Sequence, residues 1–401
     1  MLPRSRAHRR LVLAGIVAAV AVPCLGFAVV QFRADASWQA MLAAQENLRA
    51  REAAAPRGRE VAWGDATTGN AAPHYQRALA MTRALLPADE AALRRTLPHD
   101  DESRAANTNG LLERWQPVLD ALRDGAHAPE AVPPFADVDA TRPFANLLTC
   151  RWIVNAAVLD ARVLRQRGEQ LAAVRRTLDA ATFGADLLRR GLLIDQMIGC
   201  AMLAIATNEA WPDPALAALD RDALDALATG LERLDRGLPE AIDLTTEMLF
   251  SSQVLLQPHP DPARLPMPSA WRFLMSTRWM LADAMMRTFA AVHEIANADH
   301  QPWPQRRALI ELDTDTLVRT GNPVLAMLMP NFVAAEQNRR ESLAILRLLR
   351  MAVDRHRGLD VPPLRDPLGD GPIVVTKVDG GVQLRCAGAE TRRTLARVVS
   401  R

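Results

Sequence analysis

Along most of the chain, apolar residues recur three and four positions apart, the spacing that places them on one face of an α-helix. The clearest run starts at Phe144 and continues through Leu147, Cys150, Val154, Ala157, Ala161 and Leu164. Arg167-Gly168 follows, and a glycine there accepts the left-handed conformation that closes a helix. Leu171, Val174, Leu178, Ala181, Ala185 and Leu188 mark the next helix, ended in the same way by Arg190-Gly191. Leu193, Met197, Cys200 and Ala204 mark a third. Asp213-Pro214 then reads as an N-cap with proline at the first helical position, ahead of a stripe at Leu224, Leu227, Leu231, Leu234 and Leu238. Turns this short predict consecutive helices as antiparallel neighbours.

Outside this region the pattern is interrupted more often. Helices are expected from about Ala71 to Leu86 and from about Leu111 to Arg123, with loop over 56–70 and an irregular connection from Gly125 to Pro143. The prolines at 258, 260, 262, 266 and 268 predict a stiff extended segment. A long helix follows with Leu274, Leu281, Met285, Phe289, Val292 and Ala296, broken at Pro302 and Pro304. Asn322-Pro323 opens a further helical stretch that breaks at Pro330. The last helix carries Leu343, Leu346, Leu349 and Val353 and ends near Gly358. The character then changes: Ile373, Val374, Val375 and Val378 are β-branched, Asp379-Gly380-Gly381 is a hairpin turn signal, and Val382-Gln383-Leu384 resumes the alternation. Residues 372–386 are therefore expected to form one β-hairpin, docked on the last long helix because an isolated hairpin is marginal.

The N-terminus breaks the amphipathic rhythm. Four arginines lie in residues 1–10, and Leu11 to Val30 is a run of twenty uncharged residues. A helix of that length spans about 30 Å, the hydrocarbon thickness of a bilayer. The preceding arginines predict a cytoplasmic N-terminus, with the rest of the chain on the far, periplasmic side of an inner membrane. A cleaved signal peptide, with Ala34-Asp35-Ala36 as its cleavage site, is the rival reading; the length of the run favours an uncleaved anchor. Cys24 follows Pro23, which does not fit a lipoprotein signal.

The fold class that follows is mainly α: an N-terminal transmembrane helix, an antiparallel helical bundle or short TPR-like α-hairpin array, and a small C-terminal β-hairpin. The organisation expected is a basic cytoplasmic leader at 1–10, a transmembrane helix at 11–32, a stalk and linker at 33–70, a helical domain at 71–358 and a hairpin tail at 359–401.

Composition narrows the function classes. The chain has 401 residues, 49% of them hydrophobic, enough for a sizeable core. Lys+Arg is 48 against Asp+Glu 46. That balance lacks the basic excess of a nucleic-acid-binding protein, so no nucleic-acid partner is expected. Four cysteines exclude a disulfide scaffold.

The end of the chain carries a resemblance. Arg355-His356-Arg357-Gly358, Pro362-Pro363-Leu364, Asp366-Pro367-Leu368-Gly369 and Asp379-Gly380-Gly381 with Leu384 follow one another. This tail resembles that of uncharacterised membrane-anchored, mostly helical bacterial proteins, and it is similar to the C-terminal hairpin of type II secretion pseudopilins. Asn70-Ala71-Ala72 with Tyr75 and Ala78 resembles an early segment of the uncharacterised group. Asp354 stands where that group has tyrosine, and no Phe or Glu follows the basic leader in pseudopilin fashion. The resemblance implies an architecture and a location; it implies no chemistry.

No Gly-x-Gly-x-x-Gly, P-loop or Gly-x-Ser-x-Gly occurs. The eight histidines are scattered, and His293-Glu294 lacks a second histidine four residues on, so neither a metal site nor another cofactor is expected. Asp243 and Glu247, four apart on an expected helix, could do acid/base work if one pKa were raised, although a solvated face is the commoner use of such a pair. Asp195 and Asp283 sit beside apolar residues and could line a cleft, although capping, pairing or exposure is the commoner use of such a residue. Cys150 and Cys200 lie on apolar helix faces, where they are either two buried core residues or, in an oxidising compartment, a bridge between helices. The methionines at 275, 280, 285 and 286 read as core filling or as a soft groove. With no catalytic constellation assigned, the first expectation is a membrane-anchored helical interaction or scaffold protein with a protein or peptide partner. The alternative is an exported hydrolase-type enzyme with a carboxylate site between helices. A weaker third is an envelope sensor with a Met-lined cavity for an apolar ligand.

Overall fold

The computed structural model describes residues 36, 38–50, 52–54, 58–96, 108–131, 145–189, 191–249, 278–299, 301–319, 331–388 and 392–400. The chain is mainly helical, with a small antiparallel sheet near its C-terminus. It divides into two compact units. One comprises residues 1–54, 248–294 and 311–330; the other comprises 55–247, 295–310 and 331–401. The apolar run at 11–32 lies outside the described residues, as do the proline-rich 257–270 and the 322–330 stretch. Among the described residues no helix is long and apolar enough to cross a membrane.

The larger unit opens with a strap, residues 58–70, followed by helices α1 (Ala71–Thr96), α2 (Asn109–Ala126), α3 (Ala145–Gln166), α4 (Gln170–Arg189) and α5 (Leu193–Ala204). A π-helical turn, Ile205–Glu209, leads to a short α6 (Asp213–Ala217) and to α7 (Arg221–Arg236). Helix α1 runs past the end expected at Leu86 because Pro87 is held inside it, and α2 holds Pro117 within the stretch expected to be helical. The stripe at Leu224, Leu227, Leu231 and Leu234 is buried as its spacing requires, and Asp220 caps α7 by accepting the Ala223 amide at 2.8 Å. Gly168 closes α3 with φ +80°, which lets the Glu169 amide reach back to the Leu164 carbonyl at 2.9 Å.

Asp213 corrects one expectation. Pro212 is the N-cap of α6, and the Asp213 side chain is engaged elsewhere. Helix α9 (Trp303–Arg319), which follows α8 (Arg278–Asn297), was not foreseen. The prolines that read as breakers at 302 and 304 sit at its start, where a missing amide costs nothing. Helix α10 (Phe332–His356) is buried over most of its length, and Gly358 lies just beyond its end with φ +76°.

The C-terminal sheet has three strands rather than the single hairpin expected. Strand β1 (Val374–Val378) pairs with β2 (Gly381–Arg385) in the register Val374 to Arg385, and β2 pairs with β3 (Ala396–Ser400). β3 escaped notice because only Val398 and Val399 carry a strand signal, behind an arginine-rich stretch that reads as helix. It also supplies the docking: Val399 and, just ahead of the strand, Leu395 are buried, and β3 packs on α10.

Helix α4 is the hub, touching α2, α3, α5 and α7, and every residue from Thr177 to Leu188 is buried. Its contact with α5 is glycine on glycine. A Cβ on Gly199 would lie 2.7 Å from the Gly184 carbonyl oxygen and 2.8 Å from the Leu188 amide, and one on Gly184 would lie 2.6 Å from the Leu203 amide. All three obstacles are backbone atoms, so none can swing away. Gly199→Ala is expected to cost about 1–3 kcal/mol in denaturant unfolding through forced separation of the helices; a cost below about 0.5 kcal/mol would show that the contact yields.

Candidate functional site

The carboxylates picked out from sequence are only partly brought together. Asp243 precedes a helical turn at 245–249 and does not share a helix with Glu247; its side chain accepts the Thr245 amide at 2.9 Å. Glu247 reaches the start of α5, where it accepts the Leu193 amide at 2.9 Å. Asp195 accepts the Leu192 amide at 3.1 Å. The first orphan amides of α5 are thus satisfied by two carboxylates, the charge the positive end of a helix favours. Burial pushes the Asp195 carboxyl up to about 6 against the pull of the Leu192 amide, and Glu247 adds to the rise. Burial also raises Glu247, opposed by the Leu193 amide. Asp283 belongs to the other unit, on α8, where it pairs with Arg287 at 3.0 Å on an exposed surface.

Cys150 and Cys200 are free and buried. Burial holds their thiols up at about 12 and about 11, so neither presents a thiolate near neutral pH. Met285 is buried as core, and Met275 lies outside the described residues. Among the described residues no group of three or more His, Cys, Asp or Glu is arranged to hold a metal ion.

Sequence reasoning missed the larger polar clusters because their members are far apart in the chain. On α4, Asp179 and Asp186 stand seven residues apart on one face, both buried. Asp186 accepts the Tyr75 hydroxyl at 2.6 Å and pairs with Arg59 Nε at 3.0 Å and Arg189 Nη1 at 3.3 Å. Burial and Asp186 together hold the Tyr75 hydroxyl well above its usual range, so it stays a donor. Arg59 also donates to the Gly125 and Ala126 carbonyls at 2.8 and 2.9 Å. Asp179 accepts Trp63 Nε1–H at 2.8 Å and lies 3.8 Å from His127 Nε2.

A second cluster lines α10. Arg306 and Glu336, both fully buried, are joined through Nη2 and Oε2 at 2.8 Å, and Arg340 donates to Glu336 at 3.0 Å. Arg340 also reaches the Pro367 carbonyl, and Arg347 binds Asp235 at 2.9 Å and Glu240 at 2.8 Å. Arg339 points into the core and donates to the Pro239 and Leu188 carbonyls and to Gln196. A third cluster sets Asp213 between His356 Nε2 at 2.8 Å and the Ser400 hydroxyl at 2.6 Å. It holds the three residue types of a hydrolytic triad in an order that cannot activate the serine, since the carboxylate rather than the imidazole faces the hydroxyl. Its effect is to fasten β3 to α6 and α10.

The residues that carried the resemblance, in the early segment and in the tail, have structural duties here. Asn70 caps α1 through the Ala72 amide, Asp366 accepts the Leu368 and Ala387 amides, and Arg357 binds Asp225 and Asp354. No family model, curated protein or solved structure matches the chain.

Removing a carboxylate that meets buried cations should cost far more than removing one donor. Asp186→Ala is expected to lose about 3–5 kcal/mol of unfolding free energy because Arg59 is left buried without its carboxylate. Tyr75→Phe should lose only about 1 kcal/mol; equal losses in urea titration would contradict this reading. At α5, the folded-state pKa of Asp195 is raised, so its contribution to stability is full below about pH 4 and lost as pH rises through about 6. Asp195→Asn should remove that fall, seen as a flatter midpoint-against-pH curve between pH 4 and 7.

Proposed function

We propose that this chain is a membrane-tethered helical scaffold. In this reading residues 11–32 anchor it in the inner membrane, the N-terminus is cytoplasmic, and the body lies in the periplasm and holds a protein or peptide partner. One observation carries the non-catalytic part. The carboxylates that could have served an acid/base reaction are bound to backbone amides of their own fold: Asp195 to Leu192, Glu247 to Leu193 and Asp243 to Thr245. The twenty uncharged residues behind four arginines support the tether. The helices from 145 to 236, as an antiparallel bundle or a short α-hairpin array, would form the partner-holding body.

An exported hydrolase is the second reading, and one observation favours it: Asp195 and Glu247 meet at a single helix start, and both are raised by burial. Two neighbouring carboxyls of shifted pKa are the raw material of acid/base catalysis.

Both readings can be tested on the full-length chain. Protease added to spheroplasts should digest the body while residues 1–10 stay protected, and a C-terminal reporter that works only outside the cytosol should be active. A protected body overturns the tethered periplasmic reading. A panel of chromogenic ester, peptide and glycoside substrates addresses the hydrolase: no turnover is expected, and turnover lost in both Asp195→Asn and Glu247→Gln, with the fold intact, would replace the scaffold by the enzyme.

A further inference from the structure

The strap at 58–70 lies in the chain between the helical residues 38–50 and 52–54 and helix α1, and it is held to the larger unit by more than its own chain. Its backbone bridges the segment after α2: the Arg59 amide donates to the Pro129 carbonyl and Thr67 to His127, and the first residue of α1, Ala71, donates to Glu130, each at 2.8 Å. Its side chains reach further. Glu60 pairs with Arg233 and Arg236 of α7, Arg59 with Asp186, and Trp63 with Asp179 of α4.

The Trp63 anchor has a chemical peculiarity. The His127 ring meets the Trp63 ring edge to face at 4.1 Å between centroids. Its Nδ1 lies 3.2 Å from the Asp65 carbonyl oxygen. A carbonyl only accepts, so Nδ1 carries a hydrogen. In a neutral imidazole Nε2 then bears a lone pair, and that buried atom has no hydrogen-bond partner and faces Asp179 Oδ1 at 3.8 Å. Lone pair against carboxylate is repulsive. One proton, on either atom, converts the contact into attraction.

We propose that this proton is a fastening: with it between His127 and Asp179 the strap is docked, and when it passes to water the strap is loosened from α4. The surroundings of Asp179 make the carboxyl a holder of protons despite several cations. On α4 itself Arg176 lies 4.0 Å away, but its Nε is bound to Asp160 of α3 at 2.7 Å. Arg175 is stacked over the Trp63 ring, and Arg123 of α2 is shared with Asp120 and Asp124. Tyr75 of α1 is a neutral donor bound to Asp186, and Asp186 adds a second negative charge to the same helix face. From the strap come Trp63 Nε1–H and the Asp65 carbonyl, and α7 contributes Arg233, which is bound to Glu60 and to the Val61 carbonyl. Burial outweighs these cations and pushes the Asp179 carboxyl up to about 7, against Arg176 and Trp63.

The sign follows from linkage. A released Asp179 ionises near pH 4 and a docked one near 7, so docking is strongest below the first value and weakens until the second. Hydrogen–deuterium exchange of the full chain in detergent, corrected for intrinsic rate, reads this directly. The opening constant of peptides within 58–70 should rise roughly tenfold per pH unit between pH 5 and 7 and then level off, while peptides of α7 and α10 stay flat. Asp179→Asn keeps an acceptor for Trp63 and should abolish the slope. Trp63→Phe removes a donor that favours the ionised form and should move the levelling-off to higher pH, which keeps the test open if the asparagine variant does not fold. A flat strap, a slope common to the whole chain, or an Asp179→Asn variant with the wild-type slope overturns the proposal.

Discussion

A helix enclosed on every side can carry a carboxylate only if something meets it. Helix α4 carries two, and what meets them decides how the larger unit is put together. Asp186 is answered by Arg59 of the strap, Tyr75 of α1 and Arg189 of its own helix. Asp179 is answered by Trp63 of the strap. An unpaired buried charge costs several kcal/mol, comparable with the net stability of a domain. The strap is therefore part of the core although it has no regular secondary structure. Apolar packing alone would leave the placement of 58–70 open; Arg59 pins it at Asp186, and Trp63 bonds it to Asp179.

The same reasoning extends to α10. Arg306, Arg339 and Arg340 are all buried on or against this helix, and each is matched by a carboxylate or a set of carbonyls from elsewhere in the unit. Guanidinium suits this use: its five donors lie in a plane, and it stays charged when desolvated. Burial lowers Arg339 and Arg340; Arg340 is held by Glu336 and the Pro367 carbonyl, and Arg339 by two carbonyls and Gln196, with its Nη2 left without a hydrogen-bond partner among the described residues. A chain with a single lysine, Lys377, has little else with which to neutralise an interior carboxylate.

Legibility in the sequence followed the range of the interaction. Periodic apolar stripes and terminating glycines report contacts within one helix, and α3, α4, α5, α7 and α10 were readable from Leu147 to Val353 for that reason. Strand pairing across Asp379-Gly380 is equally local, and β1 and β2 were readable. Strand β3 was not, because what makes Arg397 and Val399 a strand is β2 on one side and the binding of Arg397 to the Trp211 carbonyl, 186 residues away. Helix α9 was hidden for the opposite reason: a proline at a helix start and a proline that ends a helix look alike in sequence. The polar clusters were the least legible part. Tyr75 meets Asp186 across 111 residues, and Trp63 meets Asp179 across 116; no spacing rule connects them.

Asp195 shows why candidate chemistry is harder to read than fold. A carboxylate beside apolar residues near a helix start satisfies two descriptions at once, an acid in a low-dielectric pocket and a cap on an orphan amide. Both predict burial, and both predict a perturbed pKa. They differ in what the oxygen faces. The amide of Leu192 lowers the carboxyl and stabilises the ionised form, whereas a catalytic acid needs the neutral form held ready. At Asp195 burial and Glu247 win that contest by a modest margin, leaving a group that titrates below neutrality while bound to its own backbone. Such a group holds a helix start most firmly while it is neutral, and the start weakens as the carboxyl ionises. Protonated on Oδ1 it still accepts the Leu192 amide through Oδ2, so the bond to the backbone fixes where its proton can be delivered, at a helix start held beside the close glycine contact that joins α5 to α4.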